Sequence, residues 1–236
     1  MIYVGIDDTD MPDMPGTNQL AKALVALVAD RWRCVTVLRH QLLFDPRIPY
    51  TCKNGSASIR LEPINGGAGD MPELIAAIKA RMLEWYVPGS DPGLCVTATV
   101  PAEVVDFAHR CQRDIVTRIE AEQIAERHGL YLEGLGGTRG GMIGSLAAIG
   151  LAFEGNDGRV VVNGTWPDDL CGLQPVAELW RRGVEVRCLA DGVTIHDGEL
   201  DVGKHLRPNM RDGRVVQFVE SIETPDGAMW KAVRLP

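Results

Sequence analysis

Apolar residues alternate with small or polar ones at the start of the chain: Ile2, Val4 and Ile6 are interleaved with Tyr3 and Gly5. A period of two predicts a β-strand, here one that delivers Asp7, Asp8 and Asp10 at its C-terminal end. After a loop with two prolines and a glycine, Thr17 or Asn18 is placed to N-cap a helix, because Leu20, Leu24, Leu27 and Val28 recur at helical spacing. Val35, Val37 and the run from Leu42 to Phe44 read as strand material. Ala57, Ile59 and Leu61, alternating with Ser58, Arg60 and Glu62, predict a further strand beyond the polar loop from Asp45 to Ser56. Pro72 suits the first turn of a helix that runs to about Trp85. Leu94, Val96, Ala98 and Val100 alternate again, and Pro101 opens a helix carrying Val104, Val105 and Ala108. Thr117 and Glu120 stand at capping-box spacing before another helix ending near His128.

Alternating strands and helices predict an α/β (α+β) fold with helices packed on a sheet. After about Phe153 the texture changes. Arg159–Asn163, Val184–Leu189, Val193–His196, Val215–Ile222 and Trp230–Leu235 read as strands, with one helix over about Pro175–Arg182. Asp-Gly, a strong turn signal, occurs at 157, 191, 197, 212 and 226. The expected organisation is an α/β domain over 1–153 and a smaller β-rich domain over 154–236.

Composition changes this picture little. The 236 residues are 45% hydrophobic and 24% charged, ordinary globular usage. The net charge of −8, from 24 basic against 32 acidic side chains, argues against generic nucleic-acid binding, which needs many cation–phosphate contacts. No run approaches the roughly 20 apolar residues of a membrane span, and the N-terminus lacks the basic region of a signal peptide. The six cysteines form no C-x-x-C pair, so they are expected to be reduced thiols in a cytoplasmic protein.

Three segments carry candidate chemistry. Asp7, Asp8 and Asp10 crowd three carboxylates into four residues at a strand end. Such repulsion is costly unless a cation offsets it, and hard oxygen ligands suit Mg²⁺. A solvated acidic turn is the competing reading. Gly134–Gly144 holds six glycines in eleven residues, with Arg139 among them. Backbone amides there could approach a phosphate, and Arg139 could contact it in a bidentate way. The same glycines could equally let a small-residue helix pack tightly. The loop Asp45–Gly55 offers Arg47 and Lys53 as phosphate contacts and Tyr50 as a stacking ring, or is a stiffened surface turn. The five histidines show no ligand spacing and no G-x-S-x-G occurs.

In order along the chain, these segments resemble the archaeal tRNA(Ile) 2-agmatinylcytidine synthetase family, TiaS. Gly5–Asp10 matches the family's opening G-I-D-D-T-D, and Thr17-Asn18 its Thr-Thr pair. Asp45–Ala57 matches an N-P-x-I-P-Y-K-T-R-G-N-G-A loop, and Thr138–Gly150 a G-x-G-R-G-L-I-G-A-L-A-A-I-G segment. Pro92-Gly93-Leu94 is similar to an N-P-G-hydrophobic stretch. The likeness covers about residues 1–153 well and the remainder loosely.

The resemblance implies a kinase-like domain followed by a ferredoxin-like one, using ATP and Mg²⁺ to activate a tRNA cytidine by phosphoryl transfer before agmatine displaces the phosphate. It implies that Asp7, Asp8 and Asp10 hold the metal and that Thr17 lies beside the γ-phosphate. Arg139, Gly140, Gly141 and Gly144, with Asn54 and Gly55, would then bind the nucleotide phosphates, and Lys53 would neutralise charge developing in transfer. The chain departs from the family at Asn18, in place of the second threonine, and at Thr51–Ser56, in place of K-T-R-G-N-G. It carries no segment matching the family's OB-fold and zinc ribbon. That absence and the acidic balance count against tRNA as a partner. A kinase or ligase acting on a small-molecule acceptor, or a non-catalytic nucleotide-binding protein, are the alternatives.

Overall fold

The computed structural model describes residues 1–11, 14–48, 54–64, 70–164, 170–224 and 227–235. In chain order the elements of the first part are β1 (Ile2–Asp7), α1 (Thr17–Leu27), β2 (Trp32–Gln41), β3 (Gly55–Pro63), α2 (Met71–Trp85), β4 (Gly93–Thr97), α3 (Ala102–Arg113), α4 (Arg118–His128), β5 (Tyr131–Gly134) and α5 (Gly141–Glu154). There follow β6 (Arg159–Asn163), β7 (Leu173–Pro175), α6 (Val176–Arg181), β8 (Val184–Cys188), β9 (Glu199–Asp201), β10 (Asn209–Arg211), β11 (Arg214–Thr224) and β12 (Gly227–Ala232). The architecture is α+β: one twelve-stranded, mostly antiparallel sheet in the order β5-β4-β1-β3-β2-β6-β10-β11-β12-β9-β7, with β8 paired to β11. Among the described residues no helix is long and apolar enough to cross a membrane.

Period two in β1 sorts its side chains between two cores. Ile2, Val4 and Ile6 face α1 and α2, where Leu20, Leu24, Ile78 and Met82 close one apolar cluster. Tyr3 joins the opposite cluster with Phe107, Leu146 and Ile149, so α5 lies against the sheet and α3 covers α5. α5 is apolar nearly all round and buried from Gly141 to Ala152 apart from Ile143, as expected of a helix enclosed on both sides. Gly5 permits this enclosure. A Cβ at Gly5 would collide with the Ser145 carbonyl of α5.

The expected cap of α4 is in place, and α2 has one that was not foreseen. Asp70 accepts from the Glu73 amide at the head of α2, and Thr117 from the Glu120 amide at the head of α4. The cap of α1 differs from the expectation: it is Gly16, without a side-chain bond, and Thr17 is the first helical residue. The strand expected at Leu42–Phe44 is absent, because Leu42 N donates to Asn54 O and Leu43 N to Cys111 O instead of continuing a ladder. Val193–His196 is likewise no strand. It makes a single bridge, Arg187 to Thr194. β2 pairs along one edge with β3 and along the other with β6. The fully buried His40 of β2 reinforces both seams, its Nε2 lying 2.8 Å from Ser58 Oγ of β3 and its Nδ1 2.7 Å from Asp157 just before β6.

Candidate functional site

Five strand ends gather at one edge of the sheet. Asp7, closing β1, is in register with Gly93, opening β4, and Gly93 with Gly134, closing β5. On the other side Gln41, closing β2, meets Gly55, opening β3. The starts of α1 and α5 come to the same edge, and together these segments line a cavity of about 780 Å³. Asp7, Asp8, Asp10, Thr17, Asn54, Gly55, Gly140, Gly141 and Gly144 all line it.

The period of β1 turns Asp7 toward α5, where its carboxylate rests against Gly144; a Cβ at 144 would overlap it. Burial, aided by the charges of Asp8, Asp10 and Asp91, pushes the Asp7 carboxyl up to about 8. Asp8 leaves the strand with a φ of 49°, in the left-handed region. Asp10 receives a hydrogen bond from the Thr17 hydroxyl at 3.4 Å, and that hydroxyl accepts one from Thr9 at 3.1 Å. Burial raises the Asp10 carboxyl too, against the opposing pull of Thr17 and of the Arg39 charge. Beside them the Oδ1 atom of Asn18, another cavity residue, is buried with no hydrogen-bond partner.

A charge-poor pocket of oxygen atoms whose acids resist ionisation is short of positive charge, which fits a divalent cation. Among the described residues, however, no group of three or more His, Cys, Asp or Glu side chains is arranged to hold a metal ion. The donor set therefore suits an ion such as Mg²⁺ that takes one or two carboxylates and keeps much of its water.

The glycine-rich segment is built differently from a phosphate cradle. The Asp91 carboxylate accepts from the Thr138 hydroxyl, the Arg139 amide and the Gly140 amide, the last at 2.9 Å. The Gly141 amide donates to Asp91 O at 3.1 Å, Met142 N to Arg139 O, and Ile143 N to Gly140 O. All amides from 139 to 143 thus have acceptors inside the chain. The glycines serve close approach instead: a Cβ at Gly141 would strike the Asp91 carbonyl, and one at Gly93 would strike Gly141. Arg139, at a φ of 66°, folds its side chain over Gly134 and lines a second cleft of about 410 Å³ with Glu122, Glu126 and Glu133. It does not line the main cavity.

The opposite wall is formed by the end of β2 and the start of β3. Asn54, with a φ of 44°, donates from Nδ2 to Leu43 O at 2.6 Å, while its own carbonyl accepts from Leu42 N and Gln41 Nε2. Arg39 lies over Gly55; its Nη2 atom would stand 2.9 Å from a Cβ there. Arg47 reaches the cavity but grips Asp45 with two side-chain bonds of 2.8 Å, and this holds the Asp45 carboxyl down at about 2. Lys53 and Tyr50 lie outside the described residues.

Sequence reasoning missed Arg39 and Asp91. Arg39 follows Val37 at period-two spacing, so a charge interrupting an apolar face was the available signal. Asp91 carries no signal except its place directly before Pro92-Gly93.

No protein-family model matches the chain, and no curated protein matches it by sequence. Solved structures do. A tRNA fluorescent labeling enzyme aligns at TM-score 0.55 and 24% identity, over 63% of this chain and 35% of its own. A TiaS–tRNA(Ile2)–ATP complex aligns at TM-score 0.54 and 24% identity, over 63% of this chain and 36% of its own. A TiaS–tRNA(Ile2)–AMPCPP–agmatine complex aligns over 98% of this chain and 59% of its own, at TM-score 0.55 and 18% identity. This chain therefore has a TiaS-like fold, and it spans between about a third and three fifths of the length of those proteins.

Proposed function

We propose that this protein is an ATP-dependent enzyme of the tRNA-modifying kind, working by phosphoryl transfer in the cavity at the end of β1. The observation that carries the reading is the convergence of three distant segments on one cavity: the strand-end acids Asp7–Asp10 with Thr17, the Asn54-Gly55 turn, and the glycine-rich start of α5. It is supported by the likeness in fold to proteins solved with tRNA and ATP or AMPCPP.

In this reading Mg²⁺ supplies charge neutralisation for a triphosphate. Asp7 and Asp10, with Asp8 and the free Asn18 oxygen nearby, orient the ion's water shell. The Thr17 hydroxyl, held between Thr9 and Asp10, favours the ionised form of Asp10 against its burial and faces the site where a terminal phosphate would lie. Lys53 is assigned to neutralising charge in transfer. Phosphoryl transfer needs little covalent chemistry from the protein, so positioning and electrostatics carry the rate.

The test is ATP turnover with Mg²⁺ in the presence of tRNA. Turnover that is lost in Asp8→Ala, together with a salt-sensitive tRNA complex, is the expected result; no turnover with any tRNA or metabolite would overturn the reading. A small-molecule acceptor is the second reading, favoured by the net charge of −8. Turnover triggered by a metabolite, with no tRNA complex at low salt, would select it.

A further inference from the structure

Phosphate chains are commonly held where a glycine-rich turn opens a helix, because free amides and the helix dipole point outward there. In this protein that place is already filled. The Asp91 carboxylate occupies the amides of Arg139 and Gly140 and the Thr138 hydroxyl, and so brings a negative charge of the protein's own to the head of α5. A ligand phosphate approaching α5 would meet an anion, and the amides from Arg139 to Ile143 already have acceptors.

The cations around the cavity narrow the choice further. Arg139 faces the other cleft. Arg47 is neutralised by Asp45. Arg39 lines the cavity, where its charge bears on the Asp10 carboxyl, and among the described residues no carboxylate lies within ion-pair distance of it. Gly55, lacking a side chain, leaves its guanidinium room to lie flat on the β3 turn. The fork of a guanidinium suits phosphate oxygens in a bidentate way.

We propose that phosphate groups entering this cavity bind at Arg39, on the β2–β3 wall, and not at the glycine-rich head of α5, which Asp91 keeps closed to them. The assignment rests on the proposed use of a nucleoside triphosphate and goes beyond it by naming the contact. Isothermal titration of ATP, inorganic tripolyphosphate and adenosine, each with Mg²⁺, into the wild type, Arg39→Gln, Arg39→Lys and Arg139→Gln tests it. Thermal melts of each variant confirm that it is folded.

Arg39→Gln should weaken ATP and tripolyphosphate by about tenfold or more, as expected for loss of charge-assisted bonds, and leave adenosine unchanged. Arg39→Lys should fall between the wild type and Arg39→Gln, and Arg139→Gln should stay within about twofold of the wild type. Undiminished tripolyphosphate binding by Arg39→Gln, or its loss in Arg139→Gln, would overturn the assignment. If the wild type binds tripolyphosphate through Arg39 but not ATP, the nucleotide reading fails and the subsite stands. Tight ATP binding that ignores Arg39→Gln sinks the subsite alone, and a wild type that binds neither probe sinks both.

Discussion

Replacing Asp7 by Asn should relieve the cation-free protein of a stability penalty that grows as the pH rises from about 4 to about 8. The folded chain pushes this carboxyl from 3.8 up to about 8, chiefly by burial. Between those values the folded state carries a proton that the unfolded state has released. Stability therefore falls with rising pH by about 1.4 kcal/mol per unit. The penalty is absent below pH 4, reaches about 4 kcal/mol at pH 7, and levels off above pH 8. Asn has no proton to lose. It does bury an extra donor, a pH-independent cost of about 1–3 kcal/mol, so the slope and not the absolute stability is diagnostic. Urea unfolding of both proteins in EDTA at pH 5, 6, 7 and 8 reads it directly, and the difference between them should change by about 4 kcal/mol across that range. Parallel curves, with a constant difference, would refute the reasoning. Added Mg²⁺ at pH 8 should restore stability to the wild type and not to the variant, because an ion that binds only the folded state stabilises by mass action.

The glycines give a second, independent check by chemical denaturation. Gly144→Ala drives a methyl into the Asp7 carboxylate and should cost about 1–3 kcal/mol by overpacking. Gly129→Ala, at the αL end of α4 with no atom within 4 Å of its Cβ, should cost about 1 kcal/mol from backbone conformation alone. Thr17→Val removes the hydrogen bond that opposes the rise of the Asp10 carboxyl, so the pH profile of Mg²⁺-dependent turnover should move upward, whereas Thr17→Ser should leave it in place. Cys95 is fully buried and its thiol is pushed up by that burial, so a disulfide reagent should reach it only after unfolding, while the exposed Cys171 reacts at once.

What was legible in the sequence was whatever repeats or caps. The alternation in β1 and β3, the proline in the first turn of α2 and the cap of α4 appear where periodicity and side-chain type place them. β7, β9 and β10 were missed because three residues hold no period. β5 was missed because its four residues are all half-buried and none marks a face. Leu42–Phe44 misled because an apolar run need not be a buried one; Phe44 is 66% exposed.

At the candidate site, the acids of β1 stood out because a strand pattern ran straight into them. The glycines showed only that something comes close. Whether that neighbour is a ligand or the protein itself depends on Asp91, 48 positions from Arg139, and no local pattern carries that information.

β2 has a hydrogen-bonded neighbour on each side, and β6 supplies one of them from beyond the change in sequence texture near Phe153. Severing the chain after Phe153 would strip the ladder from Thr36 to Arg39 and leave the buried His40 without Asp157. A long strand newly left at the edge of a sheet, with one side of its ladder unpaired, is a template for other chains. The isolated 1–153 piece should therefore associate by edge pairing, with light scattering that grows with concentration. Reusing that piece as a portable module would require a replacement strand along β2.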